Sequence, residues 1–245
     1  MRMSSKRQNI RKGIVISSFL FFPITIFYLS PYLAIESSGL GVVAGCLILF
    51  FFQFITSLFF GRAFCAWVCP VAGLNECLST VTKRKAKYDK TRFIKYIIWI
   101  PWVISIVLLF ISAGGIKVID PLFMTHGGLP MLGIAGHVIY YGVVILIVIL
   151  TLIGGKRWFC HALCWMAPFM VIGSKLKDFF KFPSLKIYAD PSKCIDCDLC
   201  NKKCSMGLDV KNLMKEEKIK NSECILCGEC VDACRVKVFS YKKSV

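Results

Sequence analysis

Eight cysteines near the end of the chain stand in two runs of identical spacing. Each run reads Cys-x2-Cys-x2-Cys-x3-Cys, the first from Cys194 to Cys204 and the second from Cys224 to Cys234. Thiolates at such short and regular intervals are typical of metal ligation, and two equal runs predict two equivalent centres. The end of the chain is therefore expected to fold around bound metal.

This spacing is typical of bacterial two-cluster ferredoxins, in which three cysteines of one run and the last cysteine of the other hold one [4Fe–4S] cubane. The predicted ligands are Cys194, Cys197, Cys200 and Cys234 for the first cluster, and Cys204, Cys224, Cys227 and Cys230 for the second. Ser205 and Arg235 replace the usual proline after each fourth cysteine, which removes no ligand. Two structural zinc sites are the alternative, but the crossed spacing favours iron–sulfur clusters. Such clusters pass electrons one at a time.

Most of the remaining chain is apolar, with a mean hydropathy of +0.65 and 56% hydrophobic residues over 245 positions. Four apolar stretches each have about 20 residues, enough to cross a roughly 30 Å hydrocarbon layer. The predicted transmembrane spans are about 14–35, 39–60, 94–113 and 133–153. We therefore expect a mainly α membrane domain over 1–182 and a small α+β ferredoxin-like domain over 187–245.

The net charge of +17 is concentrated before the first span and between the second and third spans. By the positive-inside rule, this distribution places both termini and the ferredoxin-like domain in the cytoplasm. It indicates a multi-pass protein of a prokaryotic cytoplasmic (inner) membrane, in contact with anionic lipid and not with nucleic acid. In that reducing compartment, short cysteine spacings indicate metal ligation or redox chemistry rather than disulfides.

The membrane part contains an internal repeat, because an apolar span is followed twice by Arg-x2-Cys-x3-Cys. We expect two hairpins related by an axis along the membrane normal, with two cysteine pairs meeting at the cytoplasmic rim. These cysteines are candidates for a third metal centre, for another bound metal or for redox-active dithiols; thiols that only pack are the remaining alternative. They are Cys65, Cys69, Cys160 and Cys164.

Three ionisable residues near the outer ends of the third and fourth spans form a candidate quinol site: His126, His137 and Asp120. Ionisable groups near a bilayer are functional candidates, although solvated or interfacial histidines explain the same pattern. No C-x-x-C-H haem attachment site is present, nor a phosphate-cradling glycine loop, a dinucleotide fingerprint or a Ser–His–Asp spacing. No catalytic residue is predicted, and we expect an electron-transfer component rather than a stand-alone enzyme.

The repeated motif, with Pro70 after its first copy, and the two ferredoxin runs together resemble the polyferredoxin membrane proteins of the NapH, NosR and CcoG type. The resemblance covers nearly the whole chain and is closest to NapH in overall shape. It implies that the four repeat cysteines correspond to the family's C-x3-C-P cysteines. Trp165 replaces the proline of the second copy, with Pro168 displaced downstream. The flavin-binding domain of NosR-like members and the extra domain of CcoG-like members are missing, which favours a general electron-transfer role.

The leading hypothesis is a membrane-anchored subunit that passes electrons between the quinone pool or a cytoplasmic donor and a partner oxidoreductase. One alternative is a metal-handling or maturation factor that binds or reduces copper through the repeat cysteines, because thiolates suit Cu(I). A redox sensor is a further alternative, although the sequence supplies no output domain. Donor, acceptor and direction of electron flow are left open by the sequence.

Overall fold

The computed structural model describes residues 6–82, 84, 90–125 and 134–244, and the predicted quinol ligand His126 lies outside them. The helices of the first part are α1 (Lys6–Leu20), α2 (Phe22–Thr25), α3 (Pro31–Gly39), α4 (Gly45–Phe60), α5 (Phe64–Trp67), α6 (Pro70–Leu78), α7 (Ile94–Ser112), α8 (Ile134–Gly154), α9 (Trp158–Ala162) and α10 (Ala167–Phe179). Those of the last part are α11 (Leu199–Lys203), α12 (Val210–Leu213) and α13 (Glu229–Ala233). The strands are β1 (Val42–Ala44), β2 (Val118–Asp120), β3 (Ser184–Ala189) and β4 (Phe239–Ser244). Short 3-10 turns span Phe27–Leu29, Lys90–Phe93, Pro191–Lys193 and Met214–Glu216. We call α1 to α10 the helical region and β3 to β4 the C-terminal region.

The predicted span over 14–35 is not one continuous helix. The chain breaks after α1, restarts with Pro23 in the first turn of α2, and breaks again before Pro31, which begins α3. Proline lacks a backbone N–H and is tolerated in the first turn of a helix, so each proline marks a new start. Ser30 caps α3 by accepting a hydrogen bond from the Leu33 N–H at 3.3 Å.

The predicted span over 39–60 is also interrupted at its start. Gly41 adopts a positive φ of 73°, and a Cβ there would lie 2.8 Å from the Gly115 carbonyl oxygen. The turn leads into β1, which pairs in parallel with β2, before α4 begins. The helix that remains has 16 residues, short for a full crossing. The prediction of four transmembrane helices is therefore not confirmed.

Among the described residues, two helices are long and apolar enough to cross a membrane, and they correspond to the third and fourth predicted spans. They cover Thr91–Ser112 and Gly136–Gly154. Only 6% and 17% of their most apolar windows are buried. A core helix of a soluble protein would be mostly buried, so these helices leave a large apolar surface for another environment.

The internal repeat is visible in the backbone, because α4–α5–α6 and α8–α9–α10 follow the same course. At the end of α5 the Cys69 N–H donates to the Phe64 carbonyl at 3.0 Å, and at the end of α9 the Cys164 N–H donates to Phe159 at 2.9 Å. The copies differ afterwards, because α6 begins at Pro70 directly after its cysteine. In the second copy Trp165 stands at the equivalent position, and α10 begins only at Ala167.

The repeat cysteines are buried among the helices, and their position at a cytoplasmic rim stays a prediction. Near Cys164, the Met166 sulfur lies 3.6 Å from the Gln53 side chain, about 10 Å along α4 from Phe60. From there α10 packs along α4, and a Cβ on Gly173 would collide with the Ser57 hydroxyl. The chain thus re-enters the helical region after α4 and α8, which hydropathy alone does not indicate. Non-helical backbone at such depth is tolerated where protein surrounds it.

The C-terminal region is a two-stranded antiparallel sheet that frames the two cysteine runs. Strand β3 pairs with β4 from Ser184↔Ser244 to Ala189↔Phe239. The helices that end the runs, α11 and α13, pack against each other. Strand β3 begins directly after Pro183, three residues before the predicted start of the ferredoxin-like domain.

Candidate metal centres

Both cysteine runs fold into loops with the same uncommon backbone conformation. In each run the residues before and after the second cysteine have positive φ, and so does the residue three positions after the fourth cysteine. These residues are Asp196, Asp198 and Gly207 in the first run, and Leu226, Gly228 and Lys237 in the second. Left-handed conformations turn backbone N–H groups toward one side and create concavities for anions. The repetition is expected of two loops that wrap equivalent anionic centres.

The predicted ligands of the second cluster line a single cavity: Cys204, Cys224, Cys227 and Cys230. The cavity therefore combines the last cysteine of the first run with the first three of the second run. Ser205, which follows Cys204, places its hydroxyl oxygen 3.7 Å from the Cys227 sulfur. The set of sulfurs around the cavity has the crossed composition that a two-cluster ferredoxin requires.

Burial makes the free thiols around this cavity hard to ionise. Desolvation, with a smaller contribution from neighbouring thiolates, raises the pKa of Cys224 to about 12. Desolvation and the Glu229 carboxylate raise the pKa of Cys227 to about 11. Metal binding requires deprotonated cysteine. The positive charge of bound iron stabilises the thiolates, which burial alone disfavours. The donor set and the burial fit an iron–sulfur cluster.

The predicted ligands of the first cluster lie nearer the surface. Cys197 is exposed, whereas Cys194, Cys200 and Cys234 are half-buried. Desolvation raises the pKa of Cys200, and a nearby Cys194 thiolate adds to the shift. The Cys234 sulfur accepts a hydrogen bond from the Val238 N–H at 3.3 Å, the kind of contact that tunes a cluster's potential.

In the part of the chain that the structure describes, no three His, Cys, Asp or Glu side chains converge on a point suited to a single metal ion. A cubane does not need such a point, because each of its four cysteines binds a different iron atom.

The four cysteines of the repeat are all buried and lie close together. Cys69 is within electrostatic range of the three others, which are Cys65, Cys160 and Cys164. The Arg157 side chain, which is fully buried, donates to the Cys65 carbonyl oxygen at 2.9 Å and also contacts the Cys160 thiol. The buried Arg62 guanidinium is within electrostatic range of three of these sulfurs. The site therefore collects four thiols and two permanent positive charges.

A family model described as a 4Fe-4S binding domain matches residues 43–88 and 137–183, one match on each copy of the repeat. A second model, described as a 4Fe-4S dicluster domain, matches residues 171–244 and so covers both cysteine runs. The chain is a 4Fe-4S protein of the ferredoxin type. It carries two [4Fe–4S] clusters, as the cysteine runs predict.

Three curated proteins show what this 4Fe-4S protein is similar to. An uncharacterized protein of Methanocaldococcus jannaschii is 27% identical over 98% of this chain and 89% of its own length. The putative electron transport protein YccM of Escherichia coli is 26% identical over 80% of this chain and 55% of its own length. The ferredoxin-type protein NapH of Haemophilus influenzae is 24% identical over 83% of this chain and 68% of its own length. No solved structure matches the chain significantly.

These similarities and the geometry agree on an iron–sulfur electron-transfer protein with the general character predicted from the cysteine runs. The resemblance to ferredoxin-type proteins such as NapH is confirmed. Together with the two apolar helices, the similarity to YccM and NapH indicates association with a membrane.

One functional feature of the 4Fe-4S protein was missed by the sequence analysis, namely a buried ion-pair cluster between its two regions. Glu223, which precedes Cys224, is paired with Arg62 and with Lys95, whose Nζ lies 2.6 Å from Glu223 Oε1. Burial opposes ionisation of Glu223, but the two positive charges outweigh it and lower the pKa of its carboxyl. The available signal was the arginine that precedes the first cysteine in each copy of the repeat motif.

The same face of the C-terminal region is held by the first helix. The Gln8 side chain donates to the Cys227 carbonyl oxygen at 3.0 Å. Arg11, which is fully buried, bridges Glu76 at 2.7 Å and Glu229 at 2.9 Å. The second cysteine run of the 4Fe-4S protein is therefore docked on the helical region through its backbone and through charges.

The remaining candidates, those for a quinol site, are only partly described. Asp120 ends β2, and its Oδ1 accepts a hydrogen bond from the Leu122 N–H at 3.0 Å. His137 is exposed in the first turn of α8. Their role as a quinol site stays a prediction.

Proposed function

We propose that this protein is a membrane-anchored subunit that passes electrons between the quinone pool or a cytoplasmic donor and a partner oxidoreductase. The observation that carries this proposal is the docking of the buried cysteine cavity directly on the thiol-rich part of the helical region. We assign Cys194, Cys197, Cys200 and Cys234 to one cluster, and Cys204, Cys224, Cys227 and Cys230 to the other. A cluster of this kind transfers single electrons when it is bound.

The order of burial supports a route through the molecule. The first cluster's cysteines reach the surface at Cys197, where a soluble partner has access. The second run contacts the helical region directly, because the Gln8 side chain donates to the Cys227 carbonyl oxygen and the Trp67 indole N–H donates to the Leu226 carbonyl oxygen. In addition, the Arg157 guanidinium is within electrostatic range of both Cys227 and Cys160. One arginine thus adjoins the second cluster's cavity and the repeat cysteines.

We propose that the repeat cysteines hold a third metal centre, which completes the route toward the membrane. Arg62 supports this assignment, because its Nε and Nη2 atoms are buried and have no hydrogen-bond partner among the described residues. Buried donors of this kind are costly unless an acceptor is present. An anionic cluster held by Cys65, Cys69, Cys160 and Cys164 would provide acceptors beside both arginines.

The proposed topology is multi-pass, with both termini and the cysteine runs in the cytoplasm. The distribution of basic residues supports it through the positive-inside rule. In this arrangement α7 and α8 cross the membrane, and the broken apolar segments around α1 to α4 also enter it.

Iron and acid-labile sulfide analysis of anaerobically purified full-length protein tests the proposal. Two cubanes give about eight iron atoms per chain, and a cluster at the repeat cysteines raises this number. The double variant Cys65→Ser/Cys160→Ser should lose only the additional iron, while Cys77→Ser, which changes an exposed thiol outside every set, should lose none. Iron-free folded protein, or protein without cubane EPR signals after anaerobic reduction, would refute the electron-transfer function.

A second candidate function is the handling of a soft metal such as Cu(I) at the repeat cysteines. The specific observation is a thioether, because the Met170 sulfur lies 3.8 Å from the Cys65 sulfur. Thiolate and thioether sulfur together favour Cu(I). Stoichiometric Cu(I) binding that disappears in Met170→Leu and in Cys65→Ser/Cys160→Ser, with both cubanes intact, would favour this function over a third cluster.

A further inference from the structure

An apolar cavity opens in the helical region beside one of the repeat cysteines. It has a volume of about 500 Å³ and is lined by residues of α1, of α2 and the turn that follows it, of α4 and of the segment around α5, together with Pro121. Known small-molecule sites have volumes of about 300–1,000 Å³, so this cavity is large enough for an organic ligand. Its walls include the Tyr28, Phe52 and Phe64 side chains.

The cavity is adjacent to the proposed third centre. Val68 and Pro70 both line it, and the residue between them is Cys69, which is itself buried. A cysteine of the repeat thus lies in the chain segment that forms part of the cavity wall. A ligand in the cavity would therefore lie next to the proposed end of the electron route.

A buried, unpaired hydroxyl in the cavity wall points to a specific kind of ligand. The Thr25 Oγ1 atom is buried and has no hydrogen-bond partner among the described residues, although Thr25 lines the cavity. The neighbouring Ser18 hydroxyl already donates to the Val68 carbonyl oxygen. Thr25 is therefore the hydroxyl available to a ligand that carries a carbonyl or hydroxyl on an apolar frame.

The surroundings of the cavity indicate how such a ligand arrives. Ile48, Phe52 and Val68 line it and remain exposed on the outside of the helical region, with exposed fractions of 40%, 58% and 48%. An apolar opening of this kind admits a ligand from lipid more readily than from water. The ligand class is thus apolar, ring-sized, oxygen-bearing and placed beside a redox centre.

We propose that this cavity binds the ring of a lipid-soluble quinone, with a quinone oxygen hydrogen-bonded to the Thr25 hydroxyl. The inference rests on the proposed electron-transfer function and chooses the quinone pool over a cytoplasmic donor. It also places the quinone beside the chain segment around Cys69, in a cavity whose wall includes Pro121, the residue after Asp120. A phospholipid acyl chain would fit the apolar walls but would leave the hydroxyl unpaired.

Binding of decylubiquinone to the full-length, cluster-loaded protein in phosphatidylcholine nanodiscs tests this site. Thr25→Val keeps the shape and removes the hydroxyl, and it should raise the Kd about fivefold. Val68→Trp should fill the cavity and abolish binding. Thr56→Val is the matched control on α4, because its hydroxyl bonds to the Gln53 carbonyl and lies outside the cavity lining, so its Kd should equal that of the wild type.

Iron content and EPR spectra of each variant keep the two proposals separate. If decylubiquinone binds equally to wild type, Thr25→Val and Val68→Trp, the cavity is not the quinone site, whatever the clusters do. If binding follows the expected pattern but quinol reduces no cluster, the site stands and the quinone route fails. If Val68→Trp loses its clusters, the Thr25→Val result alone decides.

Discussion

The two cysteine runs share one spacing and one backbone conformation but lie in opposite surroundings. Cys197 of the first run is exposed, whereas Cys227 and Cys230 of the second run are buried. The difference arises outside the runs, from side chains such as Gln8 and Arg11 that contact only the second run. The same cysteine spacing and backbone conformation therefore occur once near the surface and once in the interior. We call the first cluster the surface centre and the second cluster the internal centre.

This contrast assigns different tasks to the two centres. Solvent exposure and hydrogen bonds to sulfur are among the factors that set the potential of a cluster. The surface centre can exchange electrons with a soluble partner, while the internal centre can serve only a neighbour within the molecule. The asymmetry thus orders the two centres in space, from the exposed Cys197 toward the helical region.

The largest effect is expected from replacing the last cysteine of either run by alanine. Cys204→Ala should remove the internal cluster, although Cys204 belongs to the first run, and Cys234→Ala should remove the surface cluster. Each variant should contain about four fewer iron atoms per chain than the wild type. Cys77→Ala serves as the control. EPR of the reduced variants identifies the surviving cluster, and loss of the surface cluster in Cys204→Ala would contradict the crossed assignment.

The next largest effect concerns the ion pairs that dock the second run. Glu223→Gln removes a buried negative charge and leaves Arg62 and Lys95 uncompensated, which typically costs about 3–5 kcal/mol. The midpoint of anaerobic thermal unfolding, followed by cluster absorbance, should drop accordingly. Glu216→Gln is the matched control, because its pair with Lys220 is exposed and spans 3.9 Å. Equal midpoints for both variants would show that the docking does not depend on these charges.

Whether the sequence predicts a feature of this site depends on how far apart the residues that form it lie along the chain. The cysteine loops follow from ligand spacing, because three ligands of each cluster lie within seven residues. The apolar helices α7 and α8 follow from composition, because they run without a break. The docking of Glu223 does not follow, because it pairs with Arg62 across 161 residues.

The first two predicted spans are not confirmed as continuous helices, for a different reason. A hydropathy window averages over Pro23, Pro31 and Gly41, so it registers the apolar composition and not the breaks that these residues impose. A hydropathy window also contains no information on the direction of the chain. It therefore cannot show that α10 packs back along α4. The placement of the repeat cysteines inside the helical region could be found only from the contacts of α10.

The third effect is kinetic: the two clusters should differ in the rate at which a chelator in solution reaches them, although their ligands are of the same type. A water-soluble iron chelator should strip the surface cluster before the internal one, because Cys197 is exposed and the second cavity is buried. Among the single-cluster variants, Cys234→Ala retains the internal cluster and should lose iron several-fold more slowly than Cys204→Ala. Absorbance decay under anaerobic chelation measures both rates. Equal rates would indicate that the docking face opens as readily as the free surface.

The smallest effect compares equivalent backbone positions in the two loops. Gly228 has φ = 73°, and a Cβ there would lie 2.6 Å from the Tyr241 hydroxyl oxygen, which donates to the Leu226 carbonyl. Gly228→Ala should therefore cost at least about 1–2 kcal/mol for the left-handed conformation alone. Asp198 occupies the same position in the first run at φ = 55°, so Asp198→Gly should stay within about 0.5 kcal/mol of wild type. Thermal unfolding of both variants measures the difference. If Gly228→Ala proves as stable as Asp198→Gly, the internal loop is not packed more tightly than the surface loop, and the contrast between the two centres would lie in solvent access alone.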